Sequence, residues 1–433
     1  ILNKKVELNK NVGIFVTMNP GYAGRSNLPD NLKQLFRSFA MIEPNKELIV
    51  QVTLFSQGFI SAEYLSNKIV SLFDLCSEQL SKQPHYDFGL RSLKNVLNSA
   101  GNLKRLALQE KWQEDIMKKE SSELNGDNDI SVPGKNSDEV EKVKKTAEME
   151  QALLLKSVCD TVYPKLVSSD IVLIKSLLSG IFPNANISLF EDKDLINEIK
   201  RICKLKYYIP EEKWITKICQ INQIMKLQHG IMLVGGVGTG KSSAWKILLD
   251  ALEAIDNIKG MSYIIDAKSL DKEEIYGKLD NINLEWTDGV FTCILRKIIY
   301  NYTQTNNNIT KRHWIIFDGD VDPEWAENLN SVLDDNKLLT LPNGERLPIP
   351  ESVKILFEVD TLKHATLATV SRCGMIWFSR DILPPIVLFH DRLSNLMYGN
   401  IDYPRKIDIL KSLFVSNSNN EATEGAMMNG YRF

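Results

Sequence analysis

Gly230-Ile-Met-Leu-Val-Gly-Gly-Val-Gly-Thr-Gly-Lys-Ser-Ser243 constrains this chain more than any other stretch. It satisfies G-x-x-x-x-G-K-[ST] through Gly235, Gly240, Lys241 and Ser242. The apolar run Ile231 to Val234 before it reads as a buried strand, and Ser243 to about Ala254 after it as an amphipathic helix. A strand, a glycine-rich turn and a helix in that order make a phosphate cradle. Across Gly235, Gly236, Val237, Gly238, Thr239 and Gly240 the backbone N–H groups can turn toward one anion, and the helix start adds its positive dipole end. The lysine ammonium of Lys241 suits β- and γ-phosphates, and the hydroxyl of Ser242, with Ser243 beside it, suits Mg²⁺. A chance glycine-rich turn is the bland alternative, and the matched flanks weigh against it.

At 433 residues the chain has room for two or three domains. A net charge of −3 gives no bulk electrostatic reason to expect nucleic acid as a partner. The six cysteines are widely spaced without a C-x-x-C pair, which favours reduced thiols over zinc or a disulfide framework. No apolar run approaches the ~18–20 residues of a membrane span, so membrane insertion is not expected. With no signal peptide either, a soluble, cytoplasmic protein is expected. The first residue is not Met and Val12 to Thr17 already reads as a buried strand, so a segment of a longer protein is expected.

The strand pattern at Val12 leads into Met18-Asn-Pro-Gly-Tyr-Ala-Gly-Arg25. Asn19 stands where many P-loop ATPases place a sensor of the γ-phosphate, while Asn-Pro-Gly is equally good turn chemistry. Glu47 to Thr53 reads as a strand, and 62–80 and 87–106 as helices, the second carrying Arg91. Between about 109 and 148 Glu, Lys, Asp, Ser and Asn dominate, the composition of a charged insertion, part helix and part disordered. Helical patterns resume over 149–178, 195–204 and 211–228.

Past the phosphate loop, Met261 to Asp266 reads as a second buried strand and Trp314-Ile-Ile-Phe-Asp318 as a third. An aspartate ending a strand after a P-loop is the Walker B form, and Asp318 can reach Mg²⁺ through water. Pro323 to Leu333 reads as a helix, Asn343-Gly as a hairpin turn, and Val353 to Glu358 as a fourth strand. An internal echo relates Ile14 to Met41, with Arg37, to Ile355 to Ile376, with Arg372.

Thr17-Met-Asn-Pro-Gly-Tyr-Ala-Gly-Arg, Leu28-Pro-Asp-Asn-Leu, His85-Tyr-Asp-Phe-Gly-Leu-Arg91, Glu285-Trp-Thr-Asp-Gly, Asn330-Ser-Val-Leu-Asp-Asp-Asn336 and Val370-Ser-Arg-Cys-Gly-Met together closely resemble the motor region of dynein heavy chains, in texture those of a cytoplasmic, fungal dynein. The resemblance covers nearly all of the chain except the charged insertion and the last fifty or so residues. It implies an α/β fold of P-loop AAA+ modules, parallel sheets flanked by helices with helical lids, as part of a ring. On that pattern 1–60 is the end of the first module's large subdomain and 61–210 its lid, while 211–380 is the second module's large subdomain and 381–433 the start of its lid. Asn19 then matches the first module's sensor, Arg91 its lid arginine, and Arg372 an arginine finger completing the first module's site, with Arg37 reaching the preceding module. The implied cofactors are ATP or ADP with Mg²⁺. The implied partners are the remaining modules of the same heavy chain, a second heavy chain in a homodimer, and, through other parts of the parent, microtubules and accessory chains; no nucleic acid is implied.

The sequence departs from a working ATPase at one place. Where an active site carries Glu after the Walker B Asp, this chain has Asp318-Gly319-Asp320, and Gly319 has no group to polarise water. The Lys241 site is therefore expected to bind ATP and barely hydrolyse it, with a Gly319→Glu exchange as the test. A nucleotide-clamped scaffold of the midasin kind is the competing reading, and a freestanding P-loop NTPase or kinase a third. The strings around Asn19 and Arg372 favour the motor.

Overall fold

A computed structural model describes residues 7, 9–17, 29–42, 44–125, 137–182, 192–280, 285–304, 311–334, 336–384 and 387. Asn19, the middle of the charged insertion and nearly all of 381–433 lie outside them.

Ile1–Glu43 and Pro44–Phe433 are separate compact units. In the first, a short helix Asp30–Leu35 is described. The expected strand at Val12 to Thr17 is absent: Val12, Ile14, Phe15 and Val16 are 53–94 % exposed without regular structure. A strand exists only through neighbours that take its N–H and C=O groups, and none is described in this unit.

The second unit begins with a helical block: Lys46–Ser56, Ala62–Gln79, Leu90–Asn125, Ser137–Val162 and Ser168–Ile181. The strand expected at Glu47 to Thr53 is instead part of the first of these helices. Asn45 caps it, its side chain accepting from the amides of Glu47 and Leu48, and Val50 and Leu54, four residues apart, share the buried face. Cap and packing overrule the β-branched composition. One core runs from Val50 to Phe182 through all five helices.

A five-stranded parallel sheet follows, formed by β1 (Gly230–Val234), β2 (Lys259–Asp266), β3 (Lys311–Asp318), β4 (Val353–Val359) and β5 (Gly374–Trp377), in the order β2-β3-β4-β1-β5. Side chains alternate between two cores. On one face Met232, Ile315, Phe317, Ile355 and Phe357 meet Phe291 of helix Val290–Gln304. On the other Leu233, Trp314, Ile316 and Leu356 meet helices Lys193–Leu205, Glu212–Leu227 and Lys241–Asp256. A sheet covered on both faces suits continuous apolar strands. β2 departs from its expected burial because it is the edge strand: Ile265 is buried but Ile264 is 58 % exposed. The helix expected over Pro323 to Leu333 is broken into two short α-helical turns around a 3-10 turn. The Asn343-Gly turn joins the antiparallel pair Leu338–Thr340 and Arg346–Pro348. No helix among the described residues is long and apolar enough to cross a membrane.

Candidate functional site: a glycine loop and an arginine-lined cavity

β1 lies between β4 and β5, both far from it in sequence, so a crevice opens at its carboxyl end where ligands of open parallel sheets bind. The loop Gly235–Gly240 occupies that crevice, and Lys241 starts the following helix. Gly238 and Gly240 have φ of +81° and +83°, the left-handed region that glycine enters without penalty. A Cβ on Gly235 would lie 2.2 Å from the Phe378 carbonyl oxygen, and one on Gly240 2.5 Å from Leu383. Thr239 is buried and its Oγ1 donates to the Gly236 carbonyl at 2.9 Å, bracing the turn, while Val237 is 85 % exposed and contributes only backbone. Trp214 Nε1 donates to the Gly240 carbonyl at 3.2 Å from helix Glu212–Leu227.

Lys241 is 8 % exposed. Its Nζ donates to the Gly235 carbonyl and to Asp360 Oδ1 at 2.7 Å. Ser242 Oγ donates to Glu358 Oε2 at 2.7 Å, and Ser243 follows it in the first turn. Asp318 ends β3 directly beside Glu358 on β4 and beside Asp266 on β2. These residues fit a magnesium nucleotide: a cradle that side chains would fill, free amides at a helix start, one ammonium, one hydroxyl and a nearby carboxylate.

Gly319 has φ of +122°, and its amide donates to the Glu358 carbonyl at 3.1 Å. The absence of a side chain at Gly319 is thus also a backbone matter, since a side chain there is strained. The Gly319→Glu exchange changes backbone as well as chemistry, so a failure to gain turnover there does not speak against a missing base.

Sequence reasoning passed over Glu358 and Asp360, the two acids that hold Ser242 and Lys241. The internal echo could have found them. Counted from Ile14 and Ile355, Thr17 corresponds to Glu358 and Asn19 to Asp360.

Arg91 and Arg372, 281 positions apart in the numbering, meet in a second place. The string His85–Arg91 turns the chain before helix Leu90–Asn125. There Tyr86 Oη donates to Asp170 Oδ2 at 2.8 Å, and the His85 ring stacks on Trp377 of β5 at 4.6 Å and 4°. Arg91 Nη1 then donates to Ser371 Oγ at 2.7 Å. Arg372, the last residue of helix Leu367–Arg372, donates from Nε to Asp334 Oδ1 at 2.7 Å and from Nη1 to the Ala368 carbonyl. Asn330 of the same string as Asp334 accepts from Thr369, so that string supports the arginine helix.

Both arginines line a cavity of about 550 Å³ that also receives Lys165, His229, Lys337 and Lys354. Positive charge crowds it. Burial, with Lys337 nearby, pushes Lys354 down to about 8. Burial, with Lys354 and Lys337, pushes His229 down to about 3. Neither ring nitrogen of His229 has a hydrogen-bond partner among the described residues. Arg37 is exposed, in the first unit.

Two family models match the chain. One described as the hydrolytic ATP binding site of the dynein motor region covers residues 1–125 and 135–242. One described as an AAA domain of the dynein-related subfamily covers 230–373. The dynein heavy chain-like protein 1 of Plasmodium falciparum is 76 % identical over 96 % of this chain. The cytoplasmic dynein heavy chain of Paramecium tetraurelia is 54 % identical over 94 %, and that of Neurospora crassa 49 % identical over 91 %. The fungal texture is therefore not where the higher identity lies. In each case the chain spans 8 % of the relative's length. The chain belongs to the dynein heavy chain family.

Proposed function

We propose that this chain is the junction between the first and second AAA+ modules of an ATP-driven microtubule motor. Residues 1–60 belong to the first module's large subdomain, 61–210 to its lid, 211–380 to the second module's large subdomain, and 381–433 to the beginning of the next lid. The loop Gly235–Ser242 holds ATP or ADP with Mg²⁺ as a largely structural ligand. When bound, the nucleotide supplies phosphate oxygens and its cation a clamp on their charge. Lys241 leaves Asp360 to meet the phosphates, Ser242 and Asp318 serve the cation, and Gly319 offers no base.

The cavity at Arg91 and Arg372 is the receiving half of the first module's hydrolytic site. Guanidinium groups suit it because they stay charged and bridge phosphate oxygens as charge builds. Asn19 serves the first module as its γ-phosphate sensor. Other modules, a second heavy chain, microtubules and accessory chains are the partners of the whole protein, and its place is the cytoplasmic cytoskeleton.

The observation that supports this reading is the convergence of Arg91 and Arg372 on one cationic cavity, in a chain that also carries an intact phosphate loop at the opposite ends of the strands. In the intact heavy chain, Lys241→Ala is expected to lower the nucleotide retained after gel filtration by one per chain, counted by chromatography of the denatured protein. Retention equal to the unaltered motor would sink the assignment of the loop.

A further inference from the structure

Glu358 is 6 % exposed, and its side chain has work unlike that of a packing residue. Oε2 accepts from Ser242 Oγ at 2.7 Å and Oε1 accepts from Trp245 Nε1. Both partners are neutral. A buried carboxylate served only by neutral donors is unfavourable unless a cation comes within its field. Its strand neighbour in register is Asp318, a second carboxylate, which sharpens that need.

The hydroxyl of a serine has one proton and two lone-pair directions. In this structure the Ser242 proton is committed to Glu358, so the oxygen has only lone pairs for another partner. It can then meet a cation or a hydrogen-bond donor, and it has no proton for a phosphate oxygen. The Trp245 indole N–H lies three residues along the same helix and fixes the other carboxylate oxygen.

We propose that Glu358 is the positioning residue of the cation half of the phosphate-loop site: it accepts the hydrogen bond of the Ser242 hydroxyl and so leaves that oxygen's lone pairs turned toward a metal, with Trp245 holding the carboxylate to the task. This rests on the reading that the Lys241 loop binds a magnesium nucleotide. The corresponding position in the echo is Thr17, a neutral residue, so the device belongs to this module and not to the repeat.

The test uses the intact heavy chain and mant-ADP, with Lys241→Ala subtracted as the background of the other sites. Glu358→Gln keeps the size but removes the charge. It is expected to weaken mant-ADP binding about tenfold in Mg²⁺, the worth of one charge-assisted hydrogen bond, and to leave binding in EDTA unchanged. Trp245→Phe keeps the ring and removes the N–H, and a few-fold loss with the same Mg²⁺ dependence is expected. An unchanged Mg²⁺ response in Glu358→Gln overturns the proposal. So does a loss of equal size with and without the cation, which is the mark of mere support of the fold. If Glu358→Gln does not fold, Trp245→Phe decides by the same two criteria. If Lys241→Ala itself leaves mant-ADP binding unchanged, the reading of the loop fails first, and that result is separate from a failure at Glu358.

Discussion

The loop at Gly235–Ser242 and the cavity around Arg91 and Arg372 are assembled in opposite ways. The loop is one continuous strand, turn and helix, and its charged groups are answered within the module, Lys241 by Asp360 and Ser242 by Glu358. The cavity is drawn from the helical block and from four stretches around the sheet, and it gathers more cations than Asp334, its one lining acid among the described residues, can balance. A site whose polar groups already have partners holds its shape with or without an occupant. A site with unbalanced like charge holds its groups toward their neutral forms until an anion arrives from outside. On the function proposed above, this difference separates a structural ligand site from one whose occupancy changes something.

The strongest way to break that comparison is at Arg372. Arg372→Ala is expected to lower the microtubule-stimulated ATPase of the intact heavy chain by ~10³-fold or more, the range for an arginine finger. Lys241→Ala should cost far less turnover. If steady-state rates reversed that order, the two sites would have to exchange roles.

A second test lies at Gly319. With φ of +122°, Gly319→Glu is expected to destabilise the fold by about 1–3 kcal/mol in thermal or urea unfolding. It is not expected to restore turnover at the Lys241 site. A stable variant with raised turnover would show that the backbone accepts a side chain there and that only the base was missing.

The third test sharpens the contrast from the cavity side. His229 is held to about 3 against an ordinary value of 6.5, by burial first and then by Lys354 and Lys337. A depressed folded value gives stability that is full above 6.5 and is lost as pH falls toward 3. At pH 5 the unfolded chain takes the proton and the folded chain does not, a difference of about 2 kcal/mol. Thermal unfolding should therefore show a steep acid limb that His229→Gln flattens. Equal pH profiles for both proteins would mean that the cavity is not desolvated.

What the sequence made legible follows the same division. The strand before Gly235, the turn and the helix from Lys241 were readable because their signals are adjacent and each has a local cause. Asp318 was readable for its place in the order. Glu358 and Asp360 were not, because they lie on β4 and just past its end, more than a hundred residues beyond the loop, and ordinary strand composition surrounds them. The meeting of Arg91 with Ser371 could be anticipated only through the family pattern, since no local rule couples residues so far apart. Glu47 to Thr53 was misread as a strand because Leu, Ile and Val imitate β composition, while the capping Asn45 precedes that run. β2 was read as buried because an edge position depends on the order of strands, which apolar runs do not encode.

His85 lies flat on Trp377, and six residues later Arg91 grips Ser371. The two fastenings join the helical block to the rim of the sheet at separate points, as two bolts fix a bracket where one would let it swivel. Bending at this seam must part a ring stack and a guanidinium bond together, so a pivot is better sought in the flanking connections. Any swing of the helical block would then carry β5 and the arginine helix along as one casting.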